Sequence, residues 1–281
     1  MNYKNTITSD NYNFKVQNFA SIYDFTSYLD SATLSPIFKY EDLDSIARDY
    51  NGGWSGTKTY EEAQELLSHG WLPEAAALAK KVPLSSTLST AAKRTNIYST
   101  VGFQASVPRY LQGIPSNMIN QHRTVQKQKI IILNRSIAFN SNWSAAKIEA
   151  EGVKALQVVK ALEGNGFRVK LNVVALHYVS SWSGGYGGKT QHDVAAMTIC
   201  IKKPDEPLNI SKIAFPMAHP AMLRRLDFKW LESFQEFTNK DITSGYGSAE
   251  VRLYSKIMPK GEHLMPNEIG DIERYVKSLL Q

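Results

Sequence analysis

The sequence predicts an α/β fold, a doubly wound and mostly parallel sheet preceded by a helical N-terminal extension, on three observations. The run KIIIL at 129–133 is short and continuously apolar, as a parallel strand buried on both faces is. From Ser144 to Leu162 apolar residues recur at helical spacing until Gly164 and Gly166 stop them. RVKLNVVALHYVSS at 168–181 then reads as a second strand, so strand, helix and strand follow in the order of a βαβ unit.

Each further element has its own signal. Within residues 1–50, FASIYDFTSYLD and FKYEDLDSIARDY have the spacing of short amphipathic helices. After the Gly-rich turn NGGWSGTKT, Thr59 and Glu62 form a capping box that opens the helix YEEAQELLSH, and Gly70 ends it. PEAAALAKKV at 73–82 follows at once as a second helix, completing a helical hairpin. Residues 85–128 read as irregular, with a loop VGFQASVPRYLQGIPSNMI that interleaves Pro108, Gly113 and Pro115 with bulky side chains. A long ordered loop costs entropy, so this one is expected to serve function or an interface. Beyond 181 the chain reads as a strand DVAAMTICIKK, one or two helices across 204–234, a strand AEVRLYSKIM at 249–258 and a closing helix from Pro266. Two regions result: a helical N-terminal region over 1–128, expected to wrap the core, and an α/β domain over 129–281.

Composition narrows the class. With 43% hydrophobic residues over 281 positions the chain can bury a large core, and no run approaches the roughly 18 apolar residues of a membrane span. The N-terminus MNYKNTITSDNYNF is polar, so a cytoplasmic protein with no membrane partner is expected. The single cysteine, Cys200, excludes an internal disulfide and a cysteine-built zinc site, and its setting AAMTICIKK suggests a buried strand. The net charge of +6 permits an acidic or nucleic-acid partner without demanding one, because Lys and Arg are scattered in short groups.

The stretches KIIILNRS, EGVKALQVVKALEGNGFRVKLNVV, ICIKKPDEPLNISKIAFPMAHPAMLRRLDF, WSGTKTYEEAQELLSHGW and VPRYLQGIPSNMI carry a resemblance over about two hundred residues. The second half resembles a von Willebrand factor A-type domain, a Rossmann-like fold, and the whole chain resembles a family of tailed-phage proteins that carry such a half. The resemblance implies a mostly parallel sheet with helices on both faces. It also implies a loop after the first strand of the form Asp-x-Ser-x-Ser that helps hold Mg²⁺ at the C-terminal edge of the sheet. Here that loop reads Asn134-Arg135-Ser136-Ile137-Ala138. A neutral amide beside a guanidinium is a poor environment for a hard dication, so a degenerate metal site and no bound metal are expected.

Other chemistry is weakly represented. GGKT at 187–190 matches the tail of a phosphate loop, but Ser183 stands where the first glycine belongs and a strand pattern follows where a helix is needed. Gly184, Gly188 and Lys189 therefore read as a glycine-rich strand connection, able at most to cradle an anion. No two histidines have metal-binding spacing; His177 and His192 with Asp193 make the one cluster that facing strands would assemble. No nucleophile elbow is present. KRTNIYSTVGF, VPRYLQG and HPAMLRRLDFKW mix bases and rings as single-strand nucleic-acid binders do, yet MLRRLDFKWLESF equally reads as an amphipathic helix. The expectation is a non-enzymatic protein-binding or assembly module with no cofactor, self-association being one form of that. Its binding residues would be Asn134, Arg135, Ser136, Gly184, Gly188 and Lys189 at the sheet edge, with Arg109 and Tyr110 on the long loop. The alternatives are a single-stranded nucleic-acid-binding protein and, further off, a metal- or nucleotide-dependent enzyme.

Overall fold

The computed structural model describes residues 3–9, 11–33, 53–71, 94–123, 129–183, 190–234, 253, 260–265 and 268–280. Its centre is the predicted βαβ unit. Strand β6 (Ile130–Ser136) leads into helix α4 (Ala145–Gly164) and back into β7 (Arg168–Ser183), which pairs parallel to β6. Ser144 caps α4 by accepting from the Lys147 amide at 3.3 Å.

The sheet is mixed and mostly parallel, three of its five pairings being parallel. Strand β8 (Thr190–Lys202) turns back antiparallel on β7 as a long hairpin, and the short β9 (Glu262–Leu264) lies parallel to β6 on the other side. Two strands from the N-terminus complete it. β2 (Tyr12–Phe19) pairs parallel to β8 from Tyr12↔His192 to Phe19↔Ile199, and β1 (Tyr3–Ser9) pairs antiparallel to β2, giving the order β1-β2-β8-β7-β6-β9. The start of the chain thus supplies sheet as well as helix. The apolar–polar alternation from Tyr12 to Gln17 is a strand signal that the helical reading of the N-terminus leaves out.

Alternation along β7 sorts the core. Val169, Leu171, Val173 and Ala175 face the large cluster, to which α1 (Ile22–Ser31), α2 (Tyr60–His69), α4, α5 (Ile210–Ala218), α6 (Phe228–Ser233) and α7 (Ile272–Leu280) all contribute. Val174 and Leu176 face a smaller cluster built from Phe14, Val16, Val194, Ala196, Leu253 and Met265. The helices named above thus pack on one face of the sheet, and the helical residue Leu253 packs on the other. The Thr59 capping box forms as expected, Thr59 Oγ1 accepting from the Glu62 amide at 3.1 Å and Glu62 Oε2 from the Lys58 amide at 2.8 Å. The last helix starts at Ile272, later than Pro266, because Asp271 Oδ1 accepts from the Arg274 amide at 3.0 Å and so caps it there.

Two segments depart from the sequence reading. Residues 85–128 were expected to be irregular, yet their described part forms an arm of its own: β3 (Arg94–Ser99), β4 (Gln104–Ala105), a short helix α3 (Val107–Leu111) and β5 (Met118–Arg123), the strands ordered β3-β5-β4. MLRRLDFKWLESF was expected to be an amphipathic helix. It begins instead as a π-helix over Met222–Asp227, continues as α6, and is buried all round, with Arg224, Arg225, Asp227 and Glu232 at most 4% exposed. The helix 73–82 lies outside the described residues; of the expected strand 249–258 only Leu253 is described, and it is helical.

Candidate functional site

Asn134, Arg135 and Ser136 sit at the C-terminal end of β6, and each is 0% exposed. Asn134 Oδ1 accepts from Asn172 Nδ2 at 2.8 Å, the Arg135 guanidinium donates to the Leu264 carbonyl at 3.3 Å, and Ser136 Oγ accepts from the Ala138 amide at 3.2 Å. Expected as a partner-binding edge, they are internal ties: the amide pair joins β6 to β7, and Arg135 joins β6 to β9.

The loop that follows, residues 137–143, is held by a guanidinium from below. Arg224 on the π-helix is 2% exposed and donates to the carbonyls of Trp54, Asn140, Ser141 and Trp143 at 2.5–3.5 Å, with the Trp54 ring 4.2 Å from its Cζ. Arg225 beside it donates to Thr57 Oγ1 and to the Thr57 and Lys58 carbonyls at 2.8–3.2 Å. A cage of backbone oxygens at this edge thus holds a fixed organic cation, and its donors bind two loops, 53–58 and 137–143, to one helix. The π-helix also carries Asp227, whose Oδ2 accepts from His177 Nε2 at 2.6 Å with both side chains 0% exposed, while Trp230 Nε1 donates to Gln17 Oε1 at 2.8 Å.

This pairing dissolves the expected histidine cluster. The residue opposite His192 is Ser181, and the one opposite His177 is Ala195. His192 stacks on Tyr12 at 5.1 Å, and Asp193 accepts from Asn13 Nδ2 at 2.9 Å. Among the described residues no three His, Cys, Asp or Glu side chains converge as a metal site. Cys200 is half-buried rather than buried, donating weakly to the Lys202 carbonyl at 3.6 Å, and burial first of all raises its pKa.

Gly184, Gly188 and Lys189 lie outside the described residues. The strands that flank them are paired, Ser183 with Thr190 and Ser181 with His192, so the glycine-rich stretch connects two antiparallel strands. Ser136 is level with Val174, nine residues short of Ser183. About 30 Å of strand therefore separates Ser183 from the buried Asn134–Ser136 turn.

The remaining candidates, Arg109 and Tyr110, belong to the arm. Arg109 lies 4.2 Å over the Tyr98 ring and donates through Nε to the Ser116 carbonyl at 3.1 Å, pinning α3 to the small sheet. Tyr110 is 68% exposed. It has company: Ile97, Tyr98, Val101, Phe103, Val107 and Leu111 are 38–77% exposed, so the arm holds seven of the nine large exposed apolar residues among those described. Not one residue from 96 to 121 is buried, and none joins either core cluster. A three-stranded sheet with no core of its own is marginal in water, and exposed apolar groups in this number on one small element mark a contact surface. The sequence singles out this loop through its length and its bulky side chains.

Among the described residues no helix is long and apolar enough to cross a membrane. No curated protein and no solved structure matches the chain. One family model does, that of a domain of unknown function, DUF7192, over residues 4–268, a span running from β1 beyond β9. The chain belongs to the DUF7192 family.

Proposed function

We propose that this protein is a non-enzymatic protein-binding or assembly module whose docking element is the arm at 94–123. The observation that carries the reading is an ordered element with seven exposed large apolar side chains and no buried residue from 96 to 121. Its charge supports a protein over a nucleic acid. Across 94–123 the charged residues are Arg94, Arg109 and Arg123, three where the 21% of the whole chain would give about six. Phosphate binding needs several cations in a groove, while the centre of a protein interface is depleted of charge and rich in aromatic residues and arginine. The A-type likeness belongs to the same proposal and is supported by the parallel β6-α4-β7 unit, with the Arg224 cage in the role of a structural tie. On the tailed-phage resemblance the partner is a phage or host protein.

The test is a photo-cross-linker. Benzophenone-alanine at Phe103 in the full chain, irradiated at working concentration in lysate of the source cells, should give a discrete protein adduct. The same group at Tyr23, exposed on α1, should give none. No protein adduct at Phe103, together with retention on single-stranded DNA that weakens steeply with salt, would replace this reading with the nucleic-acid one.

A further inference from the structure

We infer that the arm docks an acidic segment of its partner protein, one that sets carboxylates against the arginines of the arm and an apolar side chain against its exposed tip; this deepens the proposed docking function and rests on it. Charge along the chain is the first observation. No Asp or Glu occurs from residue 75 to residue 148, where ten Lys and Arg stand, while the rest of the chain, with 22 cations against 26 acids, is net acidic. The net charge of +6 thus comes from this stretch alone. The arm lies within it and contributes Arg94, Arg109 and Arg123 with no acid. A cationic element without carboxylates of its own favours an anionic partner.

Second, the arm gathers its cations on one side. Strand alternation and the register Arg94↔Arg123, Asn96↔Gln121 and Tyr98↔Ile119 put positions 94, 96, 98, 119, 121 and 123 on the same side of the small sheet. The Arg109 guanidinium lies over the Tyr98 ring, 4.2 Å from its centroid, and so belongs to that side as well. Arginines directly opposite each other weaken a strand pair, and a carboxylate laid across both relieves that repulsion with bidentate hydrogen bonds.

Third, the residues there favour carboxylate over the phosphates of a nucleic acid. Tyr98 is the only Phe, Tyr or Trp in the three strands, and Arg109 covers it, so the sheet offers no bare row of rings for bases. Beyond Tyr98 the chain runs into the apolar tip, where Val101, Phe103, Val107, Tyr110 and Leu111 are 63–77% exposed. From Tyr98 back to Arg94 is about 14 Å of strand, so a fitting segment carries its carboxylates about four extended residues from its apolar anchor.

The test places benzophenone-alanine at Asn96, an exposed position between the paired arginines and Tyr98. The full chain is irradiated in lysate of the source cells, and the attachment point in the partner is mapped by mass spectrometry. The mapped segment should carry two or more Asp or Glu within about six residues. The adduct should fall roughly tenfold in molar salt, which screens charge within about 3 Å. Arg94→Glu sets opposite charges in register with Arg123, so the amide hydrogens of the arm should exchange more slowly while the adduct falls roughly tenfold or more. Arg94→Gln should lose adduct without slowing exchange. Lys277→Glu, exposed on α7, makes the same change of net charge as Arg94→Glu and should leave the adduct unchanged. A partner segment without acids, an adduct indifferent to Arg94→Glu, a loss of adduct that comes with faster exchange, or an adduct at Phe103 with none at residue 96 would each overturn the acidic partner and leave the docking function standing. No protein adduct at either position overturns both, and an adduct removed by nuclease replaces them with the nucleic-acid reading.

Discussion

Arg224 and His219 show how a buried polar side chain acts on this fold. Arg224 donates to four carbonyls of two loops, so Arg224→Ala removes these charge-assisted ties and frees both loops; a loss of about 3 kcal/mol is expected in denaturant unfolding. Arg224→Lys keeps the charge but loses the planar fork, and should recover less than half of that. His219 lies between the Phe215 and Trp71 rings, at 4.7 and 4.8 Å, and its Nδ1 accepts from the Ala221 amide at 3.1 Å. Burial lowers its pKa from 6.5 to about 4. The unfolded chain therefore takes up a proton from pH 6.5 downward, while the folded one takes it up only near pH 4. Protonation favours the unfolded state across that window, so stability falls as pH drops from 6.5 to 4, by roughly 3 kcal/mol in total at 1.4 kcal/mol per unit. Melting temperature against pH for the native chain and His219→Gln should diverge in that interval and run parallel above it. Parallel curves throughout would show that His219 is not desolvated.

Among the elements, those with a period or a cap were legible and those held by long-range pairing were not. α4 announces itself through its apolar spacing, Ser144 and the glycines after it, and α2 through Thr59 and Glu62. β2 also carries a period, Tyr12, Phe14 and Val16 alternating with Asn13, Lys15 and Gln17, which a helical reading of the N-terminus passes over. The π-helix departs from the amphipathic reading because its charges look solvated in the sequence, whereas two loops and a strand supply their partners. Asn134, Arg135 and Ser136 are buried for the same reason, their partners lying on β7 and β9, while Tyr110 is exposed on the loop that the sequence singles out. One element contact was silent in the sequence altogether. Gly152 lies inside α4, where glycine costs about 1 kcal/mol relative to alanine, and a Cβ there would stand 2.3 Å from Ala218 Cβ and 2.7 Å from the Met217 carbonyl of α5. The missing methyl sets how closely α4 and α5 approach. Gly152→Ala should therefore lower stability by about 2 kcal/mol net in spite of the better helix former. A variant more stable than the native chain would mean that the two helices are free to separate.

At the scale of the whole molecule the question is whether the second half is a unit. β2 covers β8 from His192 to Ile199, and Phe14 and Val16 complete the smaller core cluster. Phe19, Phe25 and Leu29 enter the larger cluster from the same end of the chain, and Gln17 satisfies the buried Trp230 indole. Loop 53–58, held by Arg224 and Arg225, adds a second tie from the N-terminal region, and at Gly56, φ +82°, a Cβ would meet Pro220 at 2.7 Å. A fragment of residues 129–281 thus loses one side of its sheet, leaves Val174, Leu176, Val194 and Ala196 facing water, and leaves Arg225 without its Thr57 and Lys58 oxygens and Arg224 without the Trp54 carbonyl. The apolar exposure alone costs about 1.5–3 kcal/mol per large side chain, against the 5–15 kcal/mol by which folded proteins exceed their unfolded states. The fragment should show no cooperative thermal transition by circular dichroism and should bind a hydrophobic dye. A full chain lacking residues 94–123, joined by a flexible linker, should instead melt within a few degrees of the native protein, because the arm puts nothing into either core. The pair of outcomes separates the body, which needs both ends of the sequence, from the arm, which the body only carries. A cooperative melt for 129–281, or a collapse on removing the arm, would reverse that division.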